Sequence, residues 1–239
     1  MTGRLILGLE TGGKMLSAAI GIYETGTIIL SINIMGDSIS NNCEQAVSIL
    51  LEHVNIQPQE ISLVAISGGP GSFTGLRAGF SFAYGICTGL KIPLIVVPSD
   101  YAMCYPYRKL ANYCIAIIPV KENNFLYSVF NSKMKKIKTP SSSISIVEFV
   151  SRIKRRDAST VVSPSSFKDG YPFKRKKYEV CIVGNIGGLK GIPLHFRVRF
   201  MKKLLEASDI IRVARFFPST QPEQLATLEP YYCKPPYVT

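Results

Sequence analysis

Apolar residues open the chain in short runs. Arg4–Leu9 leads into Glu10-Thr11-Gly12-Gly13, which predicts a strand followed by a turn. Leu16–Tyr23 and Thr27–Ile34 are β-rich stretches separated by Glu24-Thr25-Gly26, a hairpin signal. The period then lengthens. Ala46, Val47, Leu50, Leu51 and Val54 recur at helical spacing and predict a helix over Asn42–Val54, with Asn41 or Asn42 to cap its start. Ile61–Ile66 reads as a buried strand, Thr74–Leu90 as a second helix, and Leu94–Val97 as another buried strand between Pro93 and Pro98. The remainder is less regular. It predicts strands at Cys114–Pro119, Phe125–Phe130, Thr160–Val162 and Tyr178–Val183, helices at Ile144–Arg155 and Phe200–Phe216, and a Pro-rich tail.

The order β-β-β-α-β-α-β is that of half an actin-like, or ribonuclease-H-like, α/β domain, with a mixed sheet and helices on its faces. A second lobe follows. Residues 1–104 are expected to form the first lobe and 105–239 the second, the boundary lying near Asp100–Leu110. No apolar run reaches the roughly 18 residues of a membrane-spanning helix. The first apolar stretch stops at Glu10, which argues against a secretory signal. A cytoplasmic protein with no membrane association is the expectation.

Composition adds little until charge is mapped. Of 239 residues, 46% are hydrophobic and 18% charged, as in ordinary globular proteins. The formal net charge is +12, and it is unevenly placed. The first hundred residues are net acidic, so the positive excess lies in the second half. Lys133–Lys138, Arg152–Arg156 and Lys174–Lys177 are cationic clusters there. Such asymmetry points to a polyanion, RNA first among candidates, against the alternative of a solvated basic face. The six cysteines form no Cys-x-x-Cys pair, and only His53 and His195 are available to help them hold zinc. Free core thiols in a reducing compartment, with no metal site, are expected.

The stretch Ser67-Gly68-Gly69-Pro70-Gly71-Ser72-Phe73-Thr74-Gly75-Leu76-Arg77 joins a buried strand to the second helix. It lacks the Gly-Lys-Ser/Thr ending of a phosphate-binding loop. Inside the helix, each glycine costs about 1 kcal/mol relative to Ala. Gly75, Gly79 and Ala83 recur every fourth residue, a smooth stripe that predicts close approach by another element. The helix carries no charge between Arg77 and Lys91. It therefore needs cover on more than one side, from a partner subunit or from the second lobe.

The 67–77 block resembles the signature of the TsaB (YeaZ) family of tRNA threonylcarbamoyladenosine biosynthesis proteins. Leu7-Gly8-Leu9-Glu10-Thr11 resembles that family's first phosphate-loop position, Val183-Gly184-Asn185 its second-lobe glycine turn, and Glu229-Pro230-Tyr231-Tyr232 its tail. The resemblance implies an actin-like ATPase (ASKHA) fold. It also implies a non-catalytic subunit that binds the catalytic paralogue TsaD through first-lobe helices, with the ATPase TsaE joining and tRNA reached through the complex. Gly71, Ser72, Phe73, Thr74, Gly75, Leu76, Gly79, Phe80 and Ala83, with Ala46 and Leu50, are the expected interface. Homodimerisation in isolation stays open. Glu10, Thr11, Gly12, Gly184 and Asn185 would form a degenerate nucleotide site. No cofactor is required, and ATP or ADP with Mg²⁺ at a shared or degenerate site is left open.

Several residues depart from the family pattern. Glu10 stands where Asp is usual, and Asn42-Cys43-Glu44 replaces His-Ser-Glu. The catalytic relative's His-x-x-x-His metal pair would fall on Ser99 and Met103, neither an imidazole. Two rival readings remain: an independent actin-like ATPase or phosphotransferase, and a glycoprotease-like peptidase. The second would need His53 or His195 beside a reactive serine.

Overall fold

The computed structural model describes residues 3–35, 39–121, 124–138, 144–145, 148, 178–184 and 198–232. The chain divides into two compact units. One comprises residues through Ala102 together with Leu205–Tyr232, and the other Met103–Leu204.

The first unit is built on β1 (Leu5–Glu10), β2 (Met15–Ile22), β3 (Thr27–Met35), α1 (Ile39–Val54), β4 (Ile61–Ser67), α2 (Phe73–Leu90) and β5 (Leu94–Val97). β1, β2 and β3 pair antiparallel, while β1, β4 and β5 pair parallel. Alternation along each strand sorts side chains between two faces. Leu7, Leu9, Leu16, Ala18, Ile20, Val64 and Ile66 join Ala46, Leu50, Phe80 and Ala83 of the two helices in one core. The opposite face is covered by a helix from far along the chain, α4 (Ala207–Ala214). Ile211 presses onto β1 where an added Cβ on Gly8 would lie 2.6 Å from its side chain. The Ala207 amide donates to the Ser17 hydroxyl at 2.9 Å. Ile210, Ile211, Val213 and Ala214 are all buried. The strand β12 (Ser219–Thr220) then pairs with β5.

Residues 205–232 thus return to the first unit, whereas the sequence reading placed all of 105–239 in the second lobe. The helix expected over Phe200–Phe216 is instead a strand, β11 (Val198–Lys202), followed by α4. Backbone pairing to a neighbouring strand holds 198–202 extended, and a reciprocal cap between Glu206 and Asp209 starts the helix.

A short helix, α3 (Ser99–Cys104), leads toward the second unit. There the sheet order is β11, β10 (Tyr178–Gly184), β6 (Ala111–Lys121), β7 (Asn124–Asn131) and β8 (Lys136–Lys138), with β9 (Ile144–Ser145) also on β7. Ile144 therefore begins a strand rather than the expected helix. The rest of that expected helix, except Glu148, and the expected strand at Thr160–Val162 lie outside the described residues.

Candidate functional site

Glu10 ends β1 on the face covered by α4. Its neighbours across the sheet are Ser17 on β2 and, at the end of β4, Ser67. Glu10 is 1% exposed. Burial pushes its carboxyl up to about 7 from an ordinary 4.5, and nearby Asp209 on α4 adds to that effect. The Gly12 and Gly13 amides donate to the carboxylate and favour the anion. The Ser67 hydroxyl acts in the same direction, without closing a hydrogen bond of full geometry. Glu10 Oε2, Thr11 Oγ1, Ser67 Oγ and Ser99 Oγ are all buried without a hydrogen-bond partner. Asp209 is buried too, with the half-exposed Arg212 guanidinium 3.6 Å from its Oδ1. The result is a polar seam at the carboxyl ends of parallel strands, the usual position of a ligand site in open α/β sheets.

The chain itself closes over this seam. The Ser72 amide donates to Gly12 O at 2.8 Å. An added Cβ on Gly71 would sit 2.9 Å from the same oxygen, so the glycine loop lies backbone to backbone on the β1–β2 turn. Leu76 packs over Gly12. For an ATP–Mg²⁺ site these residues are a poor fit. Phosphates need outward-pointing amides and Mg²⁺ an ionised carboxylate. Here the turn amides of Gly12 and Gly13 face their own carboxyl group, which burial holds partly protonated near neutrality. Gly184 closes β10 in the second unit at φ +137°, and Asn185 lies outside the described residues.

The residues expected at a partner interface divide sharply. Gly75, Leu76, Gly79, Phe80, Ala83, Ala46 and Leu50 are buried inside their own unit. Within the Gly75–Gly79–Ala83 stripe, Gly79 meets Thr11 of the turn that follows β1, since an added Cβ there would lie 2.1 Å from Thr11 Oγ1. Gly71 and Phe73 are half-buried, while Ser72 and Thr74 are exposed. Ser72 caps the helix, its hydroxyl accepting from the Gly75 amide at 3.4 Å.

Nor is α2 apolar all round in effect. One face is buried, and Thr74, Arg77, Ser81, Gly85, Thr88 and Gly89 are exposed on the other. Nothing lies within 4 Å of the Cβ positions of Gly85 or Gly89. The C-terminal segment runs along a flank. The Tyr84 hydroxyl donates to Leu228 O, the Tyr231 amide donates to Gly68 O at 2.7 Å, and the Phe73 and Tyr232 rings stand 4.7 Å apart.

Among the described residues, no group of three or more His, Cys, Asp and Glu side chains is placed to hold a metal. His53 is exposed, its Nδ1 2.9 Å from Ile49 O one helical turn back. His195 lies outside the described residues. Ser99 and Met103 are buried. Cys43, Cys87, Cys104, Cys114 and Cys181 are buried and form no disulfide, and burial raises Cys43 to about 11 and Cys87 to about 12. The sequence reading missed Asp209, which reaches Glu10 from nearly 200 residues away. Its local signal was the Glu206-to-Asp209 spacing of a helix start. No described helix is long and apolar enough to cross a membrane.

Three kinds of comparison bear on this arrangement. The family model described as TsaD: tRNA N6-adenosine threonylcarbamoyltransferase matches residues 34–137. The tRNA threonylcarbamoyladenosine biosynthesis protein TsaB of Bacillus subtilis (strain 168) is 24% identical over 155 residues, 64% of this chain and 67% of that protein. The structure of YeaZ from Pseudomonas aeruginosa superposes with a TM-score of 0.67 at 18% identity, covering 96% of this chain and 99% of that one. A further structure, described as a protein with similarity to peptidase YEAZ from Pseudomonas aeruginosa, gives 0.70 at 18% identity, covering 97% and 100%. The fold is the two-lobed actin-like α/β fold that the strand order predicted.

Proposed function

We propose that this chain, similar to the tRNA threonylcarbamoyladenosine biosynthesis protein TsaB and to YeaZ, acts in tRNA threonylcarbamoyladenosine biosynthesis as a non-catalytic subunit. In this reading it binds and activates TsaD, the paralogue that transfers the threonylcarbamoyl group to the adenosine beside the anticodon. TsaE joins the assembly, and tRNA is reached through the complex. The observation that carries the reading is the division of α2. Its inner stripe is buried, with Gly79 against Thr11 of the turn that follows β1, while its outer row of Thr74, Ser81, Gly85, Thr88 and Gly89 stands open to solvent. A helix edged with such small residues lets another backbone approach closely. The docking face is therefore this outer row, with the exposed Glu44, Gln45, Ser48 and Glu52 of the adjoining α1. Gly75, Leu76, Gly79, Phe80 and Ala83, first expected to form it, lie on the other side of α2.

The Glu10 seam supports a subunit that needs no nucleotide of its own. Its amides are engaged by the Glu10 carboxyl group, and its opening is closed by the glycine loop. The rival ATPase would need that carboxylate ionised and accessible. The peptidase reading finds no support at His53, which lies on the exposed side of α1.

Size-exclusion chromatography tests the proposal. The purified chain mixed with its catalytic paralogue is expected to co-elute, and by itself to hydrolyse no ATP. Failure to co-elute, together with ATPase activity of the isolated chain, establishes the ATPase instead. A homodimer that dissociates when the paralogue is added would place self-association on the same helical face.

A further inference from the structure

The second unit gathers cations from separate parts of the sequence at one end of its sheet. Register fixes this end. Tyr113 on β6 stands level with Asn131 at the end of β7, with Val180 on β10 and, through it, with Val198 on β11. Lys109 stands two residues before β6, and Arg199 sits one residue into β11. Lys133 and Lys135 lie in the turn from β7 into β8, and Lys136 opens β8. All five are exposed. With neighbouring strands about 4.8 Å apart, the row from β11 to β8 spans about 19 Å.

The turn at its far end is rigidly made. Asn131 Oδ1 accepts from the amides of both Lys133 and Lys135 at 3.0 Å. The Met134 amide donates to Asn131 O at 2.9 Å, and the Asn131 amide donates to Lys135 O at 3.1 Å. Met134 takes a left-handed backbone at φ 62° and is only 7% exposed. Its inward side chain anchors the turn, while the lysines on either side stay in solvent. Lys136 Nζ rests 5.3 Å from the Phe130 ring centroid. Preorganised cations lose less entropy on meeting a partner than cations on a free loop.

We propose that this end of the second sheet, from Arg199 through Lys109 to Lys133, Lys135 and Lys136, binds the phosphate backbone of RNA. The choice of RNA rests on the functional reading above. The chemistry agrees with it. Lysines are point charges that neutralise phosphates without reading bases. The strands that meet here carry one acidic residue near this end, Glu179. The described residues at this end are strand starts, a turn and the single-turn 3-10 helix Tyr105–Tyr107, not the long amphipathic helix by which peripheral proteins lie on lipid.

The test is fluorescence anisotropy of the full-length chain with fluorescein-labelled transcribed tRNA across a salt series. Wild type should bind with a steep salt dependence. K133A/K135A/K136A should weaken binding by about tenfold or more and flatten the log–log salt slope by about 2 to 3 units. Lys91→Gly removes one charge from the first unit at a left-handed position that glycine tolerates, and should leave both unchanged. Matching melting temperatures establish that the triple variant is folded. The proposal is overturned by a wild-type chain that ignores tRNA at low salt, or by a triple variant with wild-type affinity and slope. It is equally overturned if the three lysines govern binding to phosphatidylserine vesicles but not to tRNA. Co-elution with the catalytic paralogue reports separately on the subunit reading. If co-elution is lost while lysine-dependent RNA binding persists, the subunit role fails and the RNA surface stands.

Discussion

Glu10 carries a carboxyl group at the end of a parallel strand that the fold seals from water. It ends the first strand, where the family pattern has a carboxylate, yet it is buried under α4 with Asp209 beside it. Its carboxyl titrates near 7 when folded and near 4.5 when the chain unfolds and water surrounds it. The folded state therefore holds this proton more tightly than the unfolded state. The stability tied to it is full below about 4.5 and is lost as pH rises through 7. A shift of this size corresponds to about 3 kcal/mol. Glu10→Gln removes the ionisation while keeping an oxygen for the Gly12 and Gly13 amides. In urea denaturation the variant should gain about 2–3 kcal/mol on wild type between pH 5 and pH 8. Parallel pH profiles would mean that Glu10 is solvated and not sealed. ATP–Mg²⁺ added at pH 8 should shift the midpoint of neither protein.

At the scale of elements, α2 separates fold from function within one helix. Gly79 and Gly85 look alike in sequence, but one meets Thr11 and the other meets solvent. Gly79→Leu should destabilise the protein by about 3 kcal/mol, because overpacking here drives a side chain into the buried Thr11. Gly85→Leu should leave thermal stability equal or higher, since glycine is a poor helix former by about 1 kcal/mol. It should nonetheless abolish co-elution with the catalytic paralogue. A Gly85→Leu protein that co-elutes normally would remove α2 from the interface. The sequence made the helix itself legible, along with β1 to β5 and α1, because period-2 and period-3.6 apolar patterns depend only on local spacing. Which side of α2 faced inward was not legible. Gly75, Gly79 and Ala83 mark close approach without saying what approaches. Phe200–Lys202 likewise matched a helical pattern, but pairing with β10 decided it in favour of a strand.

The whole molecule is organised by a chain that leaves the first unit and comes back. Strand order identified the actin-like fold, but the return of 205–232 had no local marker, because it is made by contacts across the length of the sequence. Its consequences are large. α4 covers Gly8, Gly21 and Glu10 on the second face of the first sheet, and Leu225 enters the core on the first. Fully burying Ile210, Ile211 and Val213 contributes about 2 kcal/mol each, a sum comparable with the whole stability of a domain, about 5–15 kcal/mol. A fragment of residues 1–104, cut at the boundary the sequence suggests, therefore lacks a cover for half of its sheet. It should be insoluble, or should melt without a cooperative transition by circular dichroism. Co-expression with residues 198–239 should restore a soluble species that retains both pieces through purification. A sharp, full-length-like transition from 1–104 alone would mean that the C-terminal helix is an accessory to this unit. The buried Ala207-to-Ser17 hydrogen bond and the Ile211 contact on Gly8 argue that it is a structural layer.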